Sequence, residues 1–167
     1  MYLSINPSIS VFKLVIIHVS NDQNTLIFSL DSVQTIVKEV IQLEGQICDE
    51  VSIYFVEQLE IQRLHQEFFD DPTPTDCISF PMDEEELMES YRVLGDVFVC
   101  PQVAVEYAKE NHLDALEETT LYIVHGLLHL LGYDDIEEQE ILHMRQAESK
   151  HMAHLKHLNL HLKTSLS

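Results

Sequence analysis

The segment EETTLYIVHGLLHLL, from Glu117 to Leu131, constrains this chain more than any other. It is apolar enough over several turns to form a helix buried in a core, and Gly132 stops it by allowing a left-handed exit. Yet it carries His125 and His129, four residues apart and therefore on one face. Two imidazoles at that spacing are how a helix gives two nitrogens to one metal ion. A pair of hydrogen-bonded core histidines has the same spacing.

The neighbouring residues add to the metal reading. The chain has only four glycines, and two of them, Gly126 and Gly132, lie here. After Gly132 the backbone can fold back, so Asp134 or Asp135 can supply a third ligand. Two histidines and a carboxylate suit zinc, with a fourth position open. Asp135 has a second reading, because Asp135-x-x-Glu138 is also a helix capping box. His143, in the helix that follows, is a poor alternative ligand. In the HExxH pattern of zinc proteases a glutamate follows the first histidine as general base. Gly126 holds that position here, so the protease mechanism lacks its base.

The rest of the chain alternates strands with helices. Residues 11–19, 50–56, 77–82 and 93–100 read as strands from their β-branched and apolar runs. Residues 29–45, 57–69, about 101–112 and 117–131 read as helices, and a last one runs from about Ile136 to the histidine-rich end. DDPTPTD (70–76) is loop because of its two prolines, and DEEEL (83–87) is a solvated acidic turn. This order predicts one α+β domain over 1–167, a mixed sheet of about four strands packed with helices around a zincin-like metal-binding helix.

With 167 residues, 46% of them hydrophobic, the chain can bury a core. Its formal charge is −20, which taken alone argues against nucleic acid, since phosphates attract lysine and arginine. The charge is uneven. After Glu148 there is no acid, only Lys150, Lys156, Lys163 and the histidines 151, 154, 157 and 161. Residues 149–167 thus form a basic, His-rich tail, expected to be a solvated helix end with cations near the helix C-terminus. The minority reading is a phosphate contact, under which RNA affinity falls when the tail is removed. Cys48, Cys77 and Cys100 are scattered, which fits a reduced, cytoplasmic protein and no cysteine-held metal. The run 11–19 is too short to span a membrane.

Three segments together resemble a known family. HGLLHLLGYDD (125–135) is similar to the HGxLHLxGYDH signature of the YbeY family of bacterial metal-dependent endoribonucleases, the rRNA maturation factors. PTDCISFP (74–81) resembles that family's PTDVLSFP, and LGD (94–96) falls where the family has LGD before a strand. The resemblance implies a mixed sheet covered by helices, a zinc cleft and single-strand-specific RNA cleavage. It also implies a role at the 3′ end of the small-subunit rRNA and in ribosome quality control, with ribosomal particles as partners. By position, His125 and His129 are metal ligands and Asp135 stands where the third histidine would be. Two departures follow. Aspartate replaces that histidine, and Phe69 occupies the place, five before Pro74, of an arginine that would offer phosphate a fixed cation.

The leading expectation is therefore metal-assisted RNA hydrolysis through His125, His129 and Asp135, with Arg92 a tentative cation at the cleft. Asp76 is expected to be a loop or cap residue more than a base. The rival readings are a ribosome-assembly factor with structural zinc, and more remotely a peptidase or amidohydrolase.

Overall fold

The computed structural model describes residues 14–82 and 91–164. The acidic turn read at 83–87 and the first residues of the strand read at 11–19 lie outside them. The strands among the described residues are β1 (Ile16–Asp22), β2 (Glu50–Val56), β3 (Cys77–Pro81) and β4 (Val93–Val99). They form one sheet in the order β1-β2-β4-β3. The first three in that order run parallel, and β3 is the antiparallel edge. The helices among the described residues are α1 (Leu30–Leu43), α2 (Gln58–Phe69), α3 (Pro101–Asn111), α4 (Ala115–Leu130) and α5 (Glu138–His157). The α+β class, the mixed four-stranded sheet and the buried histidine helix all agree with the sequence reading.

Alternation sorts the strand residues between two faces. Val51, Ile53 and Phe55 of β2 pair alongside Val97 and Val99 of β4, and all are buried. They share one core with Val33, Ile36, Val37 and Val40 of α1 and with Ile123, Val124, Leu127 and Leu128 of α4. Each such side chain contributes about 1.5–3 kcal/mol by leaving water. A smaller cluster on the other side joins Ile61 and Leu64 of α2 to Ile78 and Cys100, backed by Tyr54, Phe80 and Phe98. There Tyr54 stacks on Phe98 with ring centroids 4.7 Å apart. The central helix α4 therefore packs on the sheet while α2 covers the opposite side.

Two glycines set the spacing of these layers. Gly95 lies at φ +130, and a side chain there would run into the backbone carbonyl of Phe80 on β3. Gly126 lies on α4 where a Cβ would press on Val97 of β4 and sit 3.3 Å from the Ser79 hydroxyl. That hydroxyl donates to the Gly126 carbonyl at 2.8 Å, tying β3 to α4 beside His125. The place after the first histidine thus faces the sheet, and no glutamate base fits there.

The start of α4 is set by Asp114, whose carboxylate accepts from the Glu117 amide at 2.9 Å. Reading the helix from Glu117 misses this cap and the first residues it controls. Asp114→Ala should cost about 1 kcal/mol, read as a lower denaturant midpoint with unchanged slope.

Candidate metal centre

α4 ends at Leu130, and Gly132, at φ +101, turns the chain back across the helix end. The turn is fixed by backbone bonds from Tyr133 to Leu128 and from Gly132 to His129. Asp135 is thereby carried to the two histidines. His125, His129 and Asp135 each offer a ligand atom, all within 4.8 Å of one another, and the group can hold a metal ion.

The hydrogen bonds decide which atoms face inward. His125 Nδ1 donates to Glu148 Oε1 at 2.6 Å. His129 Nδ1 donates to the Tyr133 carbonyl at 3.1 Å. With a carboxylate and a carbonyl as acceptors, both Nδ1 atoms carry the hydrogen, so both Nε2 atoms present lone pairs. Those atoms face each other 3.0 Å apart. The Asp135 oxygens lie 3.5 Å from Nε2 of His125 and 3.6 Å from that of His129. Two lone pairs so close, beside a carboxylate, need a cation or a proton between them. Tetrahedral ligands about 2.0–2.1 Å from zinc stand roughly 3.3 Å apart, so the donor set fits a metal ion. Solvent reaches the group from the Asp135 side, where that side chain is 39% exposed against 17% for His125.

Burial lowers the basicity of His125, but the Glu148 hydrogen bond and the charges of Asp76, Glu148 and Asp135 outweigh it and raise its pKa above 6.5. Asp76 itself accepts from the Thr75 hydroxyl and the Cys77 amide, the loop role expected of it, while its charge reaches the site.

One alternative reading closes here and one expectation is corrected. Asp135 does not cap α5: the reciprocal capping box is formed by Glu137 and Glu140, which leaves the Asp135 carboxylate to the histidines. The histidine-rich end is not a solvated helix end throughout. His151 is fully buried, and its Nε2 meets Glu44 Oε1 at 2.7 Å, while His154 meets Glu39 at 3.3 Å. His151 Nδ1 has no partner among the described residues. A protonated ring would bury an unsatisfied N–H, so His151 is neutral and Nε2–H donates to Glu44.

These groups link stability to pH. Burial holds His151 below 6.5 despite Glu44. The unfolded chain therefore takes up a proton that the folded one refuses, and stability falls as pH drops below 6.5. Burial would raise Glu44 and Glu148, but hydrogen bonds from His151 and Tyr133, and from His125 and Arg145, hold both below 4.5. Their contribution is present above 4.5 and is lost as pH falls through their folded values. His125 has the opposite sign: its contribution is full below 6.5 and lost as pH rises through its raised value. The metal-free protein should be most stable near pH 6.5, which denaturant midpoints across the pH range will check.

Comparison with known proteins decides the family. The model described as Endoribonuclease YbeY matches residues 18–156, most of the chain and all of the metal group. The chain belongs to the YbeY endoribonuclease family. A Protochlamydia amoebophila protein named Endoribonuclease YbeY is 59% identical over 150 residues, covering 90% of this chain and 99% of that one. A Chlamydia trachomatis serovar D protein of the same name is 35% identical, covering 83% of this chain and 87% of its own. A Thermotoga maritima protein solved in solution aligns with a TM-score of 0.57 at 25% identity, over 82% of this chain and 87% of that one.

Phe69, where the YbeY pattern has arginine, is the last residue of α2 and is 56% exposed, its ring beside His65. Among the described residues no arginine replaces it locally. Arg63 is held by Glu60 and Glu67 on the helix surface. The Arg92 guanidinium bonds Gln46 and the Ile47 carbonyl in the α1–β2 connection. Sequence reasoning missed Glu148, which is buried against His125, and Arg145, which meets the other Glu148 oxygen at 3.2 Å. The available signal was the spacing of Met144, Ala147, Glu148, His151 and Leu155 along one face of α5.

Proposed function

We propose that the protein is a zinc-dependent endoribonuclease in which His125, His129 and Asp135 hold one Zn2+ ion, and that it cleaves single-stranded RNA. The observation that carries this reading is the convergence of two Nε2 lone pairs and a carboxylate on one point, in a chain of the YbeY family. When bound, zinc supplies Lewis acidity toward a phosphodiester and activates water at neutral pH. The chain's own residues do the rest. His125 and His129 keep their protons on Nδ1 and their Nε2 atoms inward. Asp135 brings a negative charge where the family signature has a neutral imidazole, so the loaded site carries one unit less positive charge and pulls less strongly on phosphate. The loop and strand from Thr75 to Phe80 form one wall.

The setting proposed is cytoplasmic maturation of the small-subunit rRNA 3′ end and ribosome quality control, with ribosomal particles as partners. Among the described residues no helix is long and apolar enough to cross a membrane. An assay with RNA carrying both single-stranded and duplex segments tests the activity. Cuts confined to the single strands support it, and equal cutting of both, or none by zinc-loaded protein, overturns it.

A second reading has its own observation. Phe69 and a charge of −20 favour an assembly factor in which zinc is structural and cleavage weak. It predicts association with small-subunit particles that survives loss of a ligand.

The 149–167 segment is proposed as an accessory phosphate contact through Lys156 and Lys163, both exposed. Removing it would also strip buried His151, Leu155 and Leu162, so charge substitution is the cleaner test. Lys156→Ala with Lys163→Ala should lower RNA affinity and reduce the salt slope by about 1 for each phosphate no longer neutralised. Unchanged affinity and slope would reduce these lysines to helix-end chemistry.

A further inference from the structure

We infer that Glu148 is a positioning residue for the metal centre, acting through His125; the inference rests on the proposed metal reading. Glu148 sits in α5, well away from the HGLLHLLGYDD segment in sequence, and its side chain is 8% exposed. A buried carboxylate must be paired to persist. Here one oxygen takes the His125 Nδ1 hydrogen at 2.6 Å and the other meets Arg145 at 3.2 Å. The surface end of the pair is therefore neutralised by arginine and the buried end is spent on the ligand histidine.

The consequence is a fixed tautomer and a fixed ring angle. A free neutral imidazole places its hydrogen on either nitrogen, and only the Nδ1–H form leaves Nε2 open to a metal at this site. Of the two ring nitrogens Glu148 accepts only from Nδ1, so it selects that form before any ion arrives. It also raises the electron density available at Nε2. His129 has a weaker anchor, the Tyr133 carbonyl at 3.1 Å. The two ligands are thus held unequally, and the charged anchor belongs to His125. This makes α5 part of the site and explains why a carboxylate lies on the buried face of that helix, where a hydrophobic residue would pack without a partner.

The test has two readouts. Imidazole nitrogen NMR of the metal-free protein at alkaline pH reports the His125 tautomer. Zn2+ titration against a competing chromogenic chelator reports affinity. The variants are Glu148→Ala and the near-isosteric Glu148→Gln, with Glu39→Gln, which meets His154 between α1 and α5, as the packing control. Wild type should show hydrogen on Nδ1. Glu148→Ala should move it toward Nε2 and weaken zinc binding by about 10–100-fold, the range for such supporting partners. Glu148→Gln, which keeps an acceptor and loses the charge, should fall between, and Glu39→Gln should match wild type. If Glu148→Ala fails to fold, Glu148→Gln carries the test alone. An unchanged tautomer with unchanged zinc affinity in the folded Glu148 variants would overturn the inference. Failure of wild type itself to bind zinc would instead remove the metal reading, and the tautomer result would still decide what Glu148 does to His125.

Discussion

His129→Ala should leave a folded protein that cuts single-stranded RNA no faster than background. The side chain lies at the open edge of α4, 24% exposed, so its loss opens little of the core. It does remove one of the two inward lone pairs and breaks the geometry that His125 and Asp135 complete. Partners that merely support a ligand are worth about 10–100-fold. Removing a ligand should therefore cost at least about a hundred-fold in cleavage, with zinc affinity falling in parallel. Circular dichroism beside a cleavage time course checks both halves. Full cleavage by the folded variant would separate the histidine pair from the chemistry.

The largest effect on stability should come from Gly95→Ala. Gly95 belongs to the LGD segment that resembles the YbeY pattern, and it sits at φ +130, where alanine is strained. Its added methyl would also meet the Phe80 carbonyl, which is backbone and cannot swing aside. β3 and β4 pair here, Phe80 with Asp96 and Pro81 with Gly95, so the clash opens the register that carries Ser79 to α4. We expect a loss of about 3 kcal/mol or more, read as a denaturant midpoint shift. Gly126→Ala should cost less, because Gly126 has a helical backbone that alanine adopts without strain, although the added methyl would press on buried Val97. A Gly95→Ala protein as stable as wild type would show that the close approach of β3 to β4 is not required.

These glycines show what is legible in the sequence and what is not. Strong periodicity and glycine stops give the helices and the inner strands to within a few residues. The edge strand β1 is read as ending too early because its apolar run stops at Val19, whereas its pairing continues through polar residues to Asp22, opposite Val56. Backbone pairing at an edge needs no apolar side chain. The histidine pair and Asp135 are legible because one helix and one tight turn place them. Asp135 is ambiguous in sequence because Asp135-x-x-Glu138 reads as a capping box as well as a ligand position, and only the fold shows that Glu137 and Glu140 form the box instead. Glu148, His151 and Glu44 are illegible for a different reason. Each occupies a buried or nearly buried position yet is polar, so it disguises the stripe it belongs to. Their partners lie on other elements, and those pairings exist only once α1, α4 and α5 have packed.

The most direct test of the central claim is a zinc titration of metal-free protein, with bound ion and single-strand cleavage followed in the same samples. The proposed function predicts that cleavage is absent without metal and returns in proportion to occupancy, reaching its limit at one ion per chain. Full cleavage by the metal-free protein, or saturation with zinc that restores none, would contradict it.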